Sequence, residues 1–214
     1  MQHHPKTETL AAYAAGAFDE AQSVVVATHL AVCGACRQVV RDFEAVGGVC
    51  LEALPALAMA DGALDRFWSI AGAQERPSAS AAARGTPDML RTLDRYLKDG
   101  IEGVKWRRIV PGASDCVLSA RGYRPGVLRL LKIEPGTRIP KHAHAGEEFT
   151  LLLKGAYDDE LGSFAQGDFV DLDEEDAHSP LAVGDEPCIC LIATNAPLVF
   201  KGVAARLAQP FIGL

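Results

Sequence analysis

Long apolar runs are missing from this sequence. No stretch of about 18 consecutive apolar residues occurs, so no transmembrane helix is expected. The start, Met1-Gln2-His3-His4-Pro5-Lys6-Thr7-Glu8, is polar. It lacks the apolar core of a signal peptide, which makes the cytoplasm the expected compartment. A surplus of base is also missing, because the formal net charge is −7. Direct nucleic-acid binding is therefore not expected, since phosphates need a basic face to neutralise them. No internal repeat is visible. What remains is ordinary for a soluble chain: 214 residues, 49% apolar and 23% charged, enough for one large or two small domains. In a reducing compartment the six cysteines read as metal ligands, redox thiols or buried small residues rather than structural disulfides.

The six histidines fall in three places only: His3 and His4, then His29, then His142, His144 and His178. Each group sits near cysteine or carboxylate, the other common metal ligands.

Periodicity divides the chain in two. Residues 7–47 carry apolar residues at helical spacing, with Leu10, Tyr13, Ala14, Ala17 and Phe18 first. Gly16 weakens that helix, Asp19-Glu20 can open the next, and Gly47-Gly48 should end the last. Leu51 to Ile70 suggest one or two further helical stretches, broken near Pro55 and Gly62. Residues 72–87 have linker composition, and a short helix is expected over 88–97. From Val104 onward short β-rich runs alternate with turns: 104–110, 116–120, 127–133, 148–153, 169–172, 188–194 and 198–203. Strands at this spacing predict an all-β sandwich or barrel.

The first constellation is His29-x-x-x-Cys33-x-x-Cys36. On one continuous helix these side chains would lie about 40° and −20° from His29, on one narrow face. Imidazole and thiolate there suit tetrahedral zinc, which needs a fourth ligand. His4 or His3 could supply it, and spacing does not separate the two. Such a closed site is structural, with no catalytic residue assigned. The pattern resembles the zinc-binding anti-sigma domain, a small helical bundle. That resemblance covers residues 1–85 and implies the ligands His4, His29, Cys33 and Cys36. It also implies that the domain clamps an extracytoplasmic-function-type sigma factor.

The second constellation is Gly136-x5-His142-x-His144-x3-Glu148-x6-Gly155. Two residues apart on a strand, His142 and His144 share a face, and Glu148 has the same parity. His178 is the remaining histidine of this half. The segment matches the first cupin motif in full. The second cupin motif is degenerate around Gly167 and His178, with an acidic run over 171–176 read as a solvated turn. Zinc or another divalent transition metal suits His142, His144, Glu148 and His178. Cys188 and Cys190 should face one way on a strand, as buried small residues rather than a relaxed disulfide.

Together, in this order and length, the halves resemble the ChrR-type anti-sigma factors. The expected architecture is an N-terminal all-α bundle over 1–85 and a C-terminal all-β cupin jelly-roll barrel over 86–214. The resemblance implies a regulatory protein in a 1:1 complex with its sigma factor, released under oxidative stress, notably singlet oxygen. The competing expectation is a cupin metalloenzyme, a dioxygenase or isomerase, with a helical docking domain.

Overall fold

The computed structural model describes residues 1–73, 89–118, 126–196 and the backbone of 198–200. Four helices come first: α1 (Thr7–Ala14), α2 (Glu20–Val32), α3 (Gly34–Glu52) and α4 (Ala63–Ala73). Two 3-10 turns, Met89–Leu93 and Ile101–Gly103, lead into the strands. These are β1 (Arg107–Val110), β2 (Ala113–Leu118), β3 (Val127–Ile133), β4 (His142–His144), β5 (Glu148–Lys154) and β6 (Ala156–Asp159). Then follow β7 (Gly162–Ala165), β8 (Phe169–Leu172), β9 (Ala177–His178), β10 (Leu181–Val183), β11 (Cys188–Thr194) and β12 (Leu198–Phe200).

Helix starts and stops follow local chemistry. Gly16 turns the chain after α1 at φ 66°. The Asp19 carboxylate then caps α2 by accepting from the Gln22 N–H at 2.9 Å. One continuous helix through the His-Cys motif does not form. Cys33 is extended, at φ −99° and ψ 104°, and the axes of α2 and α3 bend by 120° there. Its sulfur caps α3 by accepting from the Cys36 N–H at 3.5 Å. The expected stop at Gly47-Gly48 also does not occur. Neither glycine takes a left-handed backbone, and α3 runs on to Glu52. A glycine inside a helix costs only about 1 kcal/mol relative to alanine, which flanking turns outweigh. Residues 74–87 of the expected linker lie outside the described residues, and the helix expected over 88–97 is the turn Met89–Leu93.

The strands pair antiparallel in one six-stranded sheet, β1-β2-β3-β11-β5-β8, and two three-stranded sheets, β10-β6-β7 and β12-β4-β9. This is the cupin barrel behind a helical N-terminus. Strand β11 lies between β3 and β5 and is buried along its whole length, so its alternation sorts residues between two cores. Ile189, Leu191 and Ala193 point outward and join Val25, Val26 and Leu30 of α2. Cys188, Cys190 and Ile192 point into the barrel with Ile133, Leu152 and Leu172. Helix α2 is apolar nearly all round because it is sandwiched between the sheet and its helical neighbours. Helices and barrel therefore share one continuous core, in which each fully buried leucine contributes about 1.5–3 kcal/mol. The segment after the linker joins it too. Thr92 Oγ1 lies 2.7 Å from Thr28 Oγ1, and the Tyr96 hydroxyl donates to Glu20 at 2.6 Å.

Two glycines of the cupin motif have structural work. Gly136 and Gly155 adopt φ 74° and 70°, where a side chain is strained. At Gly155 a Cβ would also lie 2.7 Å from the Pro187 carbonyl, so glycine lets the β5–β6 turn pass against β11.

Candidate metal centres

The first centre forms where the N-terminal segment crosses the α2–α3 corner. His4, His29, Cys33 and Cys36 each offer a ligand atom, all within 4.8 Å of one another. His4 Nδ1 is 3.4 Å from both Cys33 Sγ and Cys36 Sγ. His3 instead packs on the Phe164 ring, centroids 4.5 Å apart, so the fold separates the two adjacent histidines that spacing could not. His29 is fully buried, and its Nδ1 faces the Gly167 carbonyl at 3.1 Å. That carbonyl can only accept, which puts the proton on Nδ1 and a lone pair on Nε2. His29 Nε2 has no hydrogen-bond partner among the described residues. Burial lowers the His29 pKa to about 4, keeping the imidazole neutral as a ligand must be. Burial and the adjoining Cys33 push the Cys36 thiol up to about 12, so two thiolates need a cation between them.

The N-terminal segment is held by the barrel, not by the helices alone. The Asp168 carboxylate accepts from the backbone N–H of Gln2 at 2.5 Å, of His3 at 3.1 Å and of Ala165 at 3.0 Å. The Phe169 N–H donates to the His3 carbonyl at 3.1 Å. Asp171 accepts from the Lys6 N–H and, at 2.6 Å, from the Thr9 hydroxyl. The acidic run read as a solvated turn is one over Asp173–Asp176, where backbone N–H groups bond within the run. Asp171 is the exception, since it anchors α1.

The second centre lies inside the barrel. Strand β4 pairs with β9, placing His142 directly opposite His178, and His144 follows on the same face. Their ligand atoms lie within 4.8 Å of one another, and all three rings are buried. His142 Nδ1 faces the Pro140 carbonyl at 2.9 Å, and His178 Nδ1 faces Asp159 Oδ2 at 2.8 Å. Both partners accept, so both Nδ1 atoms carry protons. The two Nε2 lone pairs then meet head-on at 3.1 Å, an arrangement that repels unless a cation sits between them. Burial, followed by His178, lowers the His144 pKa to about 4, and burial also lowers that of His142. Neither His144 ring nitrogen makes a hydrogen bond among the described residues. Its Nδ1 lies 3.4 Å from Glu148 Oε2. Glu148 is buried beside the histidines and accepts from the Thr150 hydroxyl at 3.0 Å, but its carboxylate stands outside the tight trio. In both clusters the donor set and the orphaned nitrogens fit a divalent metal ion.

Sequence reading missed Asp159, Asp168 and Tyr157. The first and last share parity on β6, between Gly155 and Gly162, and that alternation was the available signal. Cys188 and Cys190 do face one way, both buried, with sulfurs 3.7 Å apart.

Comparison with known proteins matches this layout. A family model for the ChrR cupin-like domain matches residues 100–197. The anti-sigma-E factor ChrR of Cereibacter sphaeroides is 39% identical over 212 residues, covering 99% of this chain and 98% of that protein. The crystal structure of Rhodobacter sphaeroides SigE in complex with the anti-sigma ChrR superposes with a TM-score of 0.76 at 37% identity, covering 90% of this chain and 98% of that one. Likeness at this level over nearly the full length makes the chain a member of the ChrR family of anti-sigma factors.

Proposed function

We propose that this protein binds an extracytoplasmic-function-type sigma factor one to one in the cytoplasm, through its helical segment 1–85, and holds it inactive. Zinc on His4, His29, Cys33 and Cys36 fixes the α2–α3 corner and the N-terminal segment. The cupin half, residues 86–214, holds zinc or another divalent transition metal on His142, His144 and His178, with Glu148 as the adjoining carboxylate. Oxidative stress, singlet oxygen in particular, acts on that half and releases the partner.

The observation that carries this reading is an uncovered apolar face. Fourteen large hydrophobic residues are exposed among the described residues, and ten of them lie between Val46 and Ile70. Leu57 is 90% exposed and Trp68 62%. Patches of this kind mark protein interaction sites. This one covers the end of α3 and most of α4, outside the core that α2 shares with the barrel.

The coupling of the two halves supports release. His29 bonds to the Gly167 carbonyl, and the Gly167 N–H donates to Leu152 of β5 at 2.8 Å. The Leu152 N–H returns to the Asp168 carbonyl at 3.1 Å. Strand β5 begins at Glu148, beside the second centre. A shift of β5 against β8 therefore reaches the first centre through the β7–β8 turn, without a flexible linker in the path. What the metal supplies is charge and a fixed ligand geometry. The residues of the chain carry the movement.

Co-expression with the sigma factor encoded beside it should give a stable 1:1 complex that blocks transcription by that sigma factor. Failure to co-purify would overturn the reading. For the sensing half, alanine variants of His142 and His144 should bind the partner but fail to release it under singlet oxygen. Normal release by those variants would refute that half.

A further inference from the structure

We propose that the interior of the cupin barrel binds one small neutral apolar molecule. The barrel holds a cavity of about 370 Å³ next to the second centre. Its walls are mostly aliphatic, with Ile109, Val127, Leu131, Ile133, Ile139 and Ile192 among them. Ligand pockets begin at about 300 Å³ and are lined mainly by apolar side chains. An engineered apolar cavity of about 150 Å³ accepts benzene, so this one has room for roughly ten to fifteen non-hydrogen atoms. An empty space of this size deprives its lining side chains of packing partners, which an apolar guest supplies.

The polar side chains of the wall are already engaged within the chain. Glu148 accepts from the Thr150 hydroxyl at 3.0 Å and lies 3.4 Å from His144 Nδ1. His142 and His178 bond through Nδ1 to Pro140 and Asp159, and their Nε2 atoms face each other. The Asn195 side chain accepts from the Glu147 N–H at 2.9 Å and donates to the Glu147 carboxylate at 3.1 Å. The Tyr157 hydroxyl is itself buried, so Tyr157 turns its ring to the cavity. A ligand rich in polar groups would have to break these bonds or leave its own groups unpaired.

Charge excludes ionic ligands. Arg129 lines the cavity but is ion-paired with Asp115 at 3.8 Å, and Arg107 holds the same carboxylate through two hydrogen bonds of 2.9 Å. Among the described residues, Asp115, Glu148 and the His178-bound Asp159 stand against Arg107 and Arg129, three negative groups to two positive. An anion therefore meets no surplus of positive charge. A cation finds the carboxylates at the histidine end already taken, by Thr150 and by His178, and loses its hydration among the isoleucines. A neutral apolar body meets neither cost, and every CH2 it buries adds to its affinity.

The test uses octan-1-ol as the probe and the full-length chain. Titration calorimetry should show one saturable octan-1-ol site. Octanoate and octylammonium, of the same chain length, should each bind at least about tenfold more weakly. Affinity should rise about fourfold per CH2, so butan-1-ol should bind about two-hundredfold more weakly than octan-1-ol. Ile109→Trp, on the edge strand β1, should fill the cavity and abolish the site. Val127 lines the cavity while partly exposed, so Val127→Asp puts a charge in the wall without cutting either core and should weaken octan-1-ol at least about tenfold. Trp68→Asp should leave the site unchanged, which separates the cavity from the exposed apolar face. Absence of a saturable octan-1-ol site overturns the proposal. So does equal or tighter binding of either ion, affinity that does not grow with chain length, full affinity in Val127→Asp, or loss of affinity in Trp68→Asp. The titration is run without any partner protein, so its outcome is independent of the sigma-factor reading.

Discussion

Replacing Asp168 with alanine tests how the N-terminal segment is pinned to the barrel. Asp168 is 3% exposed and accepts from the backbone N–H groups of Gln2 and His3, the two residues before His4. A hydrogen bond to a charged group contributes about 1.5–3 kcal/mol. The freed segment can bond to water, so the low end applies, and two lost bonds amount to about 3 kcal/mol. That is roughly a hundredfold rise in the population of chains whose segment has lifted off. His4 leaves the cysteines when it lifts. Labelling of Cys33 and Cys36 by a thiol reagent, mapped by mass spectrometry, should therefore be about a hundredfold faster in Asp168→Ala. A rate within about threefold of wild type, with the fold intact, would refute the reasoning. The effect has a pH signature. Burial opposes ionisation of Asp168, but three backbone donors outweigh it and hold its pKa below the ordinary value. The contribution is thus fully present above the unfolded aspartate pKa of about 3.9 and is lost as pH falls through the lower folded value. The variant-to-wild-type rate ratio should be constant near neutrality and shrink toward one only below about pH 4.

Three further outcomes follow from the same geometry. Asp159→Asn removes the carboxylate that orients His178, and should weaken metal binding at the second centre about 10–100-fold while leaving the first unchanged, as read by metal content after dialysis. Leu191→Ala cuts the core shared by α2 and the sheet and should cost about 2–5 kcal/mol in denaturant unfolding. Because helices and barrel share that core, helical and near-ultraviolet signals should be lost in a single transition; two separated transitions would contradict the shared core.

Much of this was legible in the sequence. Strands β3, β8 and β11 begin and end where apolar runs and flanking turns place them, because each is largely buried and bounded by glycine, proline or acidic turns. Spacing singled out His29, Cys33 and Cys36 in the first half and His142 and His144 in the second. The short strands β6, β7, β9 and β10 were not legible, since they are too brief to give more than a faint periodic signal and their pairing is settled only in the folded chain. The bend at Cys33 was hidden for another reason: a cysteine acting as helix cap has no propensity signature. The choice of His4 over His3 was invisible because the barrel makes it, through Asp168 and Phe164 more than 150 residues away. The carboxylates that orient the sites, Asp159 and Asp168, have the same origin. They belong to loops and edges that become neighbours of the ligands only after folding.

The central claim is that the apolar face over α3 and α4 is what a sigma factor covers. The most direct measurement is calorimetric titration of the full chain, wild type and Phe67→Asp/Trp68→Asp, against the purified sigma factor encoded beside it. Phe67 and Trp68 meet edge to face with centroids 5.0 Å apart, both more than half exposed and neither part of the buried core clusters, so the substitutions leave the core intact. Aromatic anchors of this kind contribute about 2 kcal/mol or more each to an interface. The account predicts a tight 1:1 complex for wild type and at least about a hundredfold weaker binding for the double variant. Equal affinity of the two proteins, or no binding by either, would contradict it.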